Sequence, residues 1–124
     1  MSTLARVLIV DDDAEVASTL QEAVVQLGYS AQVAGDGPEA LRLFPEFRPD
    51  IVLLDLTMPE MPGQVVLERL RQLDSQLPVI MVTANADLEL AKLTLALGAL
   101  DYIMKPLDFE HLATLLETAL VYRD

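Results

Sequence analysis

The sequence predicts an α/β fold in which a parallel β-sheet is covered by helices on both faces. Short apolar runs rich in Val, Ile and Leu recur along the chain with little polar alternation, as in strands buried on both sides. Longer segments of helical period separate them, and five βα units in a row imply a parallel sheet with crossover helices. A third observation concerns where polar groups fall. Asp11-Asp12 follows Val7-Leu8-Ile9-Val10, Asp55 follows Ile51-Val52-Leu53-Leu54, and Lys105-Pro106 follows Tyr102-Ile103-Met104. Parallel strands end on one side of a sheet, so these groups are expected to converge at one rim, where such folds bind ligands.

The elements follow in order. Strands are expected near 5–10, 30–34, 51–54, 78–83 and 101–104, and helices over 14–27, 38–44, 63–73, 87–97 and 108–121. Gly28 sits just past the first helix as a C-terminal cap, and Gly98 closes the fourth in the same way. Pro38 suits the first turn of the second helix, and Pro45 is expected to stop it early. Pro49 and Pro78 stand at strand entrances, where a missing N–H costs little. Asp108 can cap the fifth helix.

Composition bounds the function. With 124 residues, 52% of them hydrophobic, the chain reads as one domain over 1–124 with a real core. It is either a complete small protein or one domain of a longer one. A formal net charge of -12 argues against nucleic-acid binding by this domain, which needs clustered Lys and Arg, and against anionic membranes. There is no cysteine, hence no disulfide framework or thiolate metal site. Neither a signal peptide nor a membrane-length apolar run is present, and the expected location is cytoplasmic.

Asp11, Asp12, Asp13 and Glu15 concentrate carboxylates at one strand–helix junction. Capping a helix needs one or two of them, a role that suits Asp13 or Glu15. Asp11 and Asp12 stand at the strand end itself, and their mutual repulsion calls for a cation. Oxygen-only ligands point to Mg²⁺ or a similar hard ion such as Mn²⁺, held by one or two carboxylates, water and phosphate. Asp55 is then free to attack a phosphoryl group and form an acyl phosphate, with Lys105 neutralising charge and the Thr83 hydroxyl donating to an oxygen.

Taken together, these pieces resemble a two-component response regulator receiver domain. The resemblance rests on Val7-Leu8-Ile9-Val10-Asp11-Asp12-Asp13, Leu53-Leu54-Asp55-Leu56-Thr57-Met58-Pro59, Val82-Thr83-Ala84, and Gly98-Ala99-Leu100-Asp101-Tyr102 running to Lys105-Pro106. It implies a flavodoxin-like (βα)₅ sandwich with strand order 2-1-3-4-5. It also implies Asp55 as phosphoacceptor, Asp11, Asp12, Asp55 and the Thr57 carbonyl as Mg²⁺ ligands, and Thr83 and Lys105 on the phosphoryl group. Tyr102 would be an aromatic switch that turns inward with Thr83, and the Lys105–Pro106 peptide would be cis, an isomer X-Pro bonds alone adopt readily. The donor would be a phosphohistidine on a sensor kinase or phosphotransfer protein, met by the start of the first helix around Ala14, Val16 and Ala17 and the loop after Lys105. Such a domain catalyses its own phosphorylation and autodephosphorylation rather than turning over a substrate. Pro62 departs from the family pattern, which favours an acidic or small polar residue there. Thr57 and Asn85 occupy positions that tune acyl-phosphate lifetime.

The resemblance also implies switching of a surface made by the fourth helix, fifth strand and fifth helix. The fourth helix carries two apolar stripes at helical spacing, Leu88, Ala91 and Leu95 on one side and Leu90, Leu93 and Leu97 on the other. The second stripe is expected to face a partner or a second copy in a homodimer. His111, the single histidine, reads as an ordinary helix residue. Three other functions fit the sequence less well. A phosphatase with Asp55 as nucleophile needs a second carboxylate two residues on, where Thr57 stands. A pseudo-receiver docking module usually lacks the acidic pair, the acceptor or the lysine. A flavin binder would meet repulsion between its phosphate and the acidic strand ends.

Overall fold

The structure is a computed structural model and describes residues 4–83 and 88–123. In chain order the elements are β1 Arg6–Val10, α1 Ala14–Gln26, β2 Ser30–Ala34, α2 Gly37–Phe47, β3 Ile51–Asp55, α3 Gly63–Leu73, β4 Val79–Thr83, α4 Leu88–Ala96, β5 Asp101–Met104 and α5 Phe109–Arg123. All strand pairs are parallel and the sheet order is β2-β1-β3-β4-β5, the expected flavodoxin-like arrangement.

Alternate residues of each central strand feed two cores. Val7, Ile9, Ile51, Leu53, Ile80, Val82 and Ile103 pack under α1 and α5, against Leu20, Val24, Leu112 and Leu116. Leu8, Val10, Val52, Leu54, Val79 and Met81 pack under α2, α3 and α4, against Ala40, Val66, Leu67 and Leu70. Both faces of β3 and β4 are buried throughout, which is why their sequences show no polar alternation. The apolar content is thus spent on two layers, and the polar strand ends are left over at the rim.

Helix boundaries follow local chemistry. Asp13 caps α1, its carboxylate accepting from the N–H groups of Glu15 at 3.0 Å and Val16 at 3.2 Å. Asp108 caps α5 in the same way, accepting from Glu110 N–H at 2.9 Å. Gly28 and Gly98 take φ of 99° and 109°, the left-handed conformation that closes α1 and α4. At α2, Asp36 accepts from Glu39 N–H at 2.8 Å while the Glu39 carboxylate accepts from Gly35 N–H at 2.6 Å. The first bond satisfies a donor that the first turn leaves open, and the second ties the residue before the cap to that turn. Asp36→Ala is expected to cost about 1 kcal/mol, read from the midpoint of urea unfolding.

Two expectations are corrected. Pro45 does not stop α2, which runs on to Phe47 with Pro45 inside it. The proline removes only the bond to Leu41, and packing of Phe44 and Phe47 against the core carries the last turn to its left-handed end at Arg48. The exposed stripe expected of Leu90, Leu93 and Leu97 is also not assembled. Leu90 and Leu97 pack against the core beside buried Ala91 and Thr94, and Leu93 and Leu95 are the exposed leucines. Thr94 faces inward because its hydroxyl donates to the Ala91 carbonyl at 2.6 Å, which removes the cost of burying it and shifts the buried face of the helix. The expected helix start at Asp87, with Ala84 and Asn85, lies outside the described residues. Among the described residues no helix is long and apolar enough to cross a membrane.

Candidate functional site

Strand register builds the site. Val10 pairs with Leu54, so Asp11 follows directly beside Asp55. Asp55 pairs with Val82, which places Thr83 one residue further along the rim. Thr83 pairs with Met104, and Lys105 N–H donates to the Thr83 carbonyl at 2.7 Å. Residues from four separate strand ends therefore meet in one pocket of about 340 Å³, lined by Asp11, Asp12, Asp13, Asp55, Thr57, Thr83 and Lys105.

Asp11, Asp55 and Thr83 are buried, at 2%, 6% and 4% exposure, so two carboxylates are largely withdrawn from water. Asp12 is exposed at the mouth. Asp11 uses both oxygens: one accepts from Asp13 N–H at 2.9 Å, the other from Lys105 Nζ at 3.0 Å. Lys105 Nζ also stands 3.7 Å from an Asp55 oxygen. The Lys105–Pro106 peptide is cis, as the resemblance implies.

The electrostatics are those of an acid cluster short of positive charge. Asp55 is pushed up from 3.8 to about 6, first by burial and then by the Asp11 carboxylate. Lys105 and the Thr57 amide, which hydrogen-bonds the carboxylate, pull it back only partly. Burial alone would lower the Lys105 ammonium, but its hydrogen bond to Asp11 and the charges of Asp55 and Asp11 outweigh that, so it is held above its ordinary value. Carboxylate oxygens of Asp11, Asp12 and Asp55 lie within 4.8 Å of one another. An all-oxygen, acidic donor set of this spacing suits a hard divalent cation.

The remaining expected residues stand apart. Tyr102 is half-buried beside the α2–α3–α4 core and does not line the pocket. His111 is exposed, in a groove with Asp101, Tyr102, Met104 and Asp108. Ala17 faces the core, so Val16 with Glu15 and Thr19 forms the accessible start of α1 instead. Gly63 also shapes the site. A Cβ there would stand 2.3 Å from the Asp55 carbonyl oxygen, so α3 begins directly on the backbone of Asp55. The visible signal was a glycine placed immediately after Pro62 at a helix start.

A 2-1-3-4-5 sheet with this acid cluster, hydroxyl and lysine at its strand ends is the architecture of a receiver domain. Residues 7–117 match the response regulator receiver domain family, and the chain belongs to it. It is therefore a component of two-component phosphorelay signalling. It is 40% identical over 120 residues to the regulatory protein AtoC of Escherichia coli (strain K12), covering 97% of this chain and 26% of that protein. It is 48% identical over 101 residues to the DNA-binding response regulator MtrA of Mycobacterium tuberculosis (strain CDC 1551 / Oshkosh), covering 82% of this chain and 44% of that protein. The chain thus spans less than half the length of these relatives. Among solved structures, a CheY-like receiver domain protein from Methanospirillum hungatei JF-1 superposes with TM-score 0.91 at 31% identity, over 98% of this chain and 97% of that one. The chemotaxis protein CheY4 of Vibrio cholerae gives 0.90 at 29% identity, over 95% and 100%.

Proposed function

We propose that Asp55 accepts a phosphoryl group from a phosphohistidine on a sensor kinase or phosphotransfer protein. The observation that carries this reading is a buried carboxylate flanked by Asp11, Asp12 and a paired Lys105, in a pocket large enough for a phosphoryl group. An Asp55 oxygen forms the new O–P bond as the P–N bond to the donor imidazole breaks; that nitrogen keeps the bonding pair and takes a proton from solvent. Asp11, Asp12, Asp55 and the Thr57 carbonyl would hold Mg²⁺ or Mn²⁺. When bound, that ion neutralises the carboxylates and the phosphoryl oxygens. Lys105 supplies a second positive charge and Thr83 a hydroxyl donor. Asn85 and Thr57 are proposed to tune the lifetime of the adduct.

Signal output follows from differential contact. A phosphorylated Asp55 gains bonds to Thr83 and Lys105 in only one of two states, and movement of Thr83 opens space for Tyr102. The face affected is α4–β5–α5, where Leu93, Leu95, Met104 and Phe109 are exposed. That face is proposed to meet a partner or a second copy. The groove along Val16, Thr19, Pro106 and Leu107, about 660 Å³, is proposed to receive the donor protein. Thr57 in place of a second carboxylate weighs against a turnover phosphatase. The presence of acceptor, acidic pair and lysine together weighs against a docking module without chemistry.

The test is intact-protein mass spectrometry after incubation with acetyl phosphate in Mg²⁺ or in EDTA. One phosphoryl adduct, formed in Mg²⁺ and absent in EDTA, is the expected result. No adduct with either acetyl phosphate or a phosphorylated histidine donor, from folded protein, would sink the reading.

A further inference from the structure

The loop after the acceptor, residues 56–62, lies between two glycines that do not line the pocket, Gly37 at the start of α2 and Gly63 at the start of α3. On the α3 side, Gly63 N–H donates to the Leu56 carbonyl at 3.1 Å and closes the loop on itself. Pro62 contributes no side-chain cap, so the loop has one fewer anchor than a capped helix start would give it. Leu56 and Met58 are buried in the α2–α3–α4 core on either side of Thr57, and further along the loop Met61 packs against the same core. Gly37 leaves the room that Met61 fills: a Cβ on Gly37 would meet Val66 Cγ2 at 2.7 Å, Met61 Sδ at 2.8 Å and Met61 Cβ at 3.1 Å. Gly37 is itself held in place, because Asp36 and Glu39 tie down the turn on either side of it at 2.8 and 2.6 Å. Real Cβ atoms do not tolerate such contacts, so a methyl at Gly37 has to displace the side chains of Val66 and Met61, and Met61 belongs to the loop that carries Thr57.

We infer that Gly37 and Met61 form a lock that positions the acceptor loop, so that the start of α2 sets where the Thr57 main chain stands relative to Asp55. Both are positioning residues, since neither lines the pocket. The inference rests on the divalent-cation reading of that pocket. The Thr57 main chain stands two residues beyond the end of β3, and groups that hold ligands in place typically matter nearly as much as the ligands.

The experiment compares the full chain with Gly37→Ala, Met61→Ala, the double variant and Val24→Ala. Val24 is buried on the opposite face of the sheet and serves as a control for lost stability. Mg²⁺ affinity is measured by calorimetry, with the Thr57 amide resonance followed by NMR. Each lock variant is expected to weaken Mg²⁺ binding about tenfold and shift the Thr57 amide, while Val24→Ala stays within about twofold of wild type. The double variant is expected to be no worse than the weaker-binding single, because both remove one device. If Gly37→Ala does not fold, Met61→Ala against Val24→Ala decides. Wild-type affinity in a folded lock variant, additive losses, or an equal loss in Val24→Ala would each overturn the lock. Failure of the wild type to bind Mg²⁺ would overturn the cation reading and the lock with it.

Discussion

Asp55→Asn is expected to form no phosphoryl adduct under conditions where the wild type does, and to be more stable than the wild type at neutral pH in EDTA. Loss of the adduct follows from replacing the attacking oxygen with an amide, and mass spectrometry reads it as all or none. The gain in stability follows from the site's electrostatics. Burial and Asp11 hold the Asp55 carboxyl up from 3.8 to about 6. The folded chain then binds this proton more tightly than the unfolded chain, so stability falls as pH rises from 3.8 through about 6. Above that window the ionised carboxylate costs the fold about 3 kcal/mol as an upper figure, with the contribution of Lys105 already included. Asn carries no such cost.

Urea unfolding in EDTA across that window measures it. The variant is expected to exceed the wild type by about 1–3 kcal/mol at neutral pH, and the difference should vanish near pH 4. A pH-independent difference would mean that packing, not charge, distinguishes the two. Added Mg²⁺ should narrow the gap, because a cation that binds the native wild type stabilises it by mass action and loses a ligand in the variant.

Much of this site was legible before any coordinates, for a definite reason. Asp11, Asp55, Thr83 and Lys105 each follow or end an apolar run, and in a parallel sheet strand ends share a rim. The pairing of Lys105 with Asp11, 94 residues away, was not legible, because it depends on side-chain reach across the ends of β4 and β3. Nor was the face of α4. Its leucines surround the helix, and a satisfied Thr94 rather than a leucine sits at zero exposure. Pro45 misled in the opposite direction, since a local breaker was overruled by tertiary packing of Phe44 and Phe47. Gly37 and Gly63 gave no sign of their role, because what marks them is the tertiary neighbours, backbone at Gly63 and the Val66 and Met61 side chains at Gly37, that fill the space a Cβ would need.

Lys105→Met is expected to move two readouts in opposite directions: tighter Mg²⁺ binding and far slower phosphorylation. The ammonium stands 3.0 Å from Asp11 and 3.7 Å from Asp55, so it already occupies the negative field that a cation would use. It stays charged, since Asp11 and Asp55 together hold it above its ordinary value. Removing it frees an Asp11 oxygen and relieves repulsion of an incoming divalent ion, for an expected gain of roughly tenfold in affinity. Without metal the same change leaves two buried carboxylates unpaired, at a cost of about 3 kcal/mol in EDTA that Mg²⁺ should largely restore. Phosphorylation by acetyl phosphate should fall about 10²-fold even at saturating Mg²⁺, the usual loss when one fixed donor to a developing oxyanion is removed. A stabilising structural lysine would give the loss in EDTA alone. A lysine acting only through the metal would give parallel changes in affinity and rate. Only a group that neutralises the acids at rest and the phosphoryl oxygens in the reaction separates the two, and unchanged phosphorylation at saturating Mg²⁺ would remove Lys105 from the chemistry.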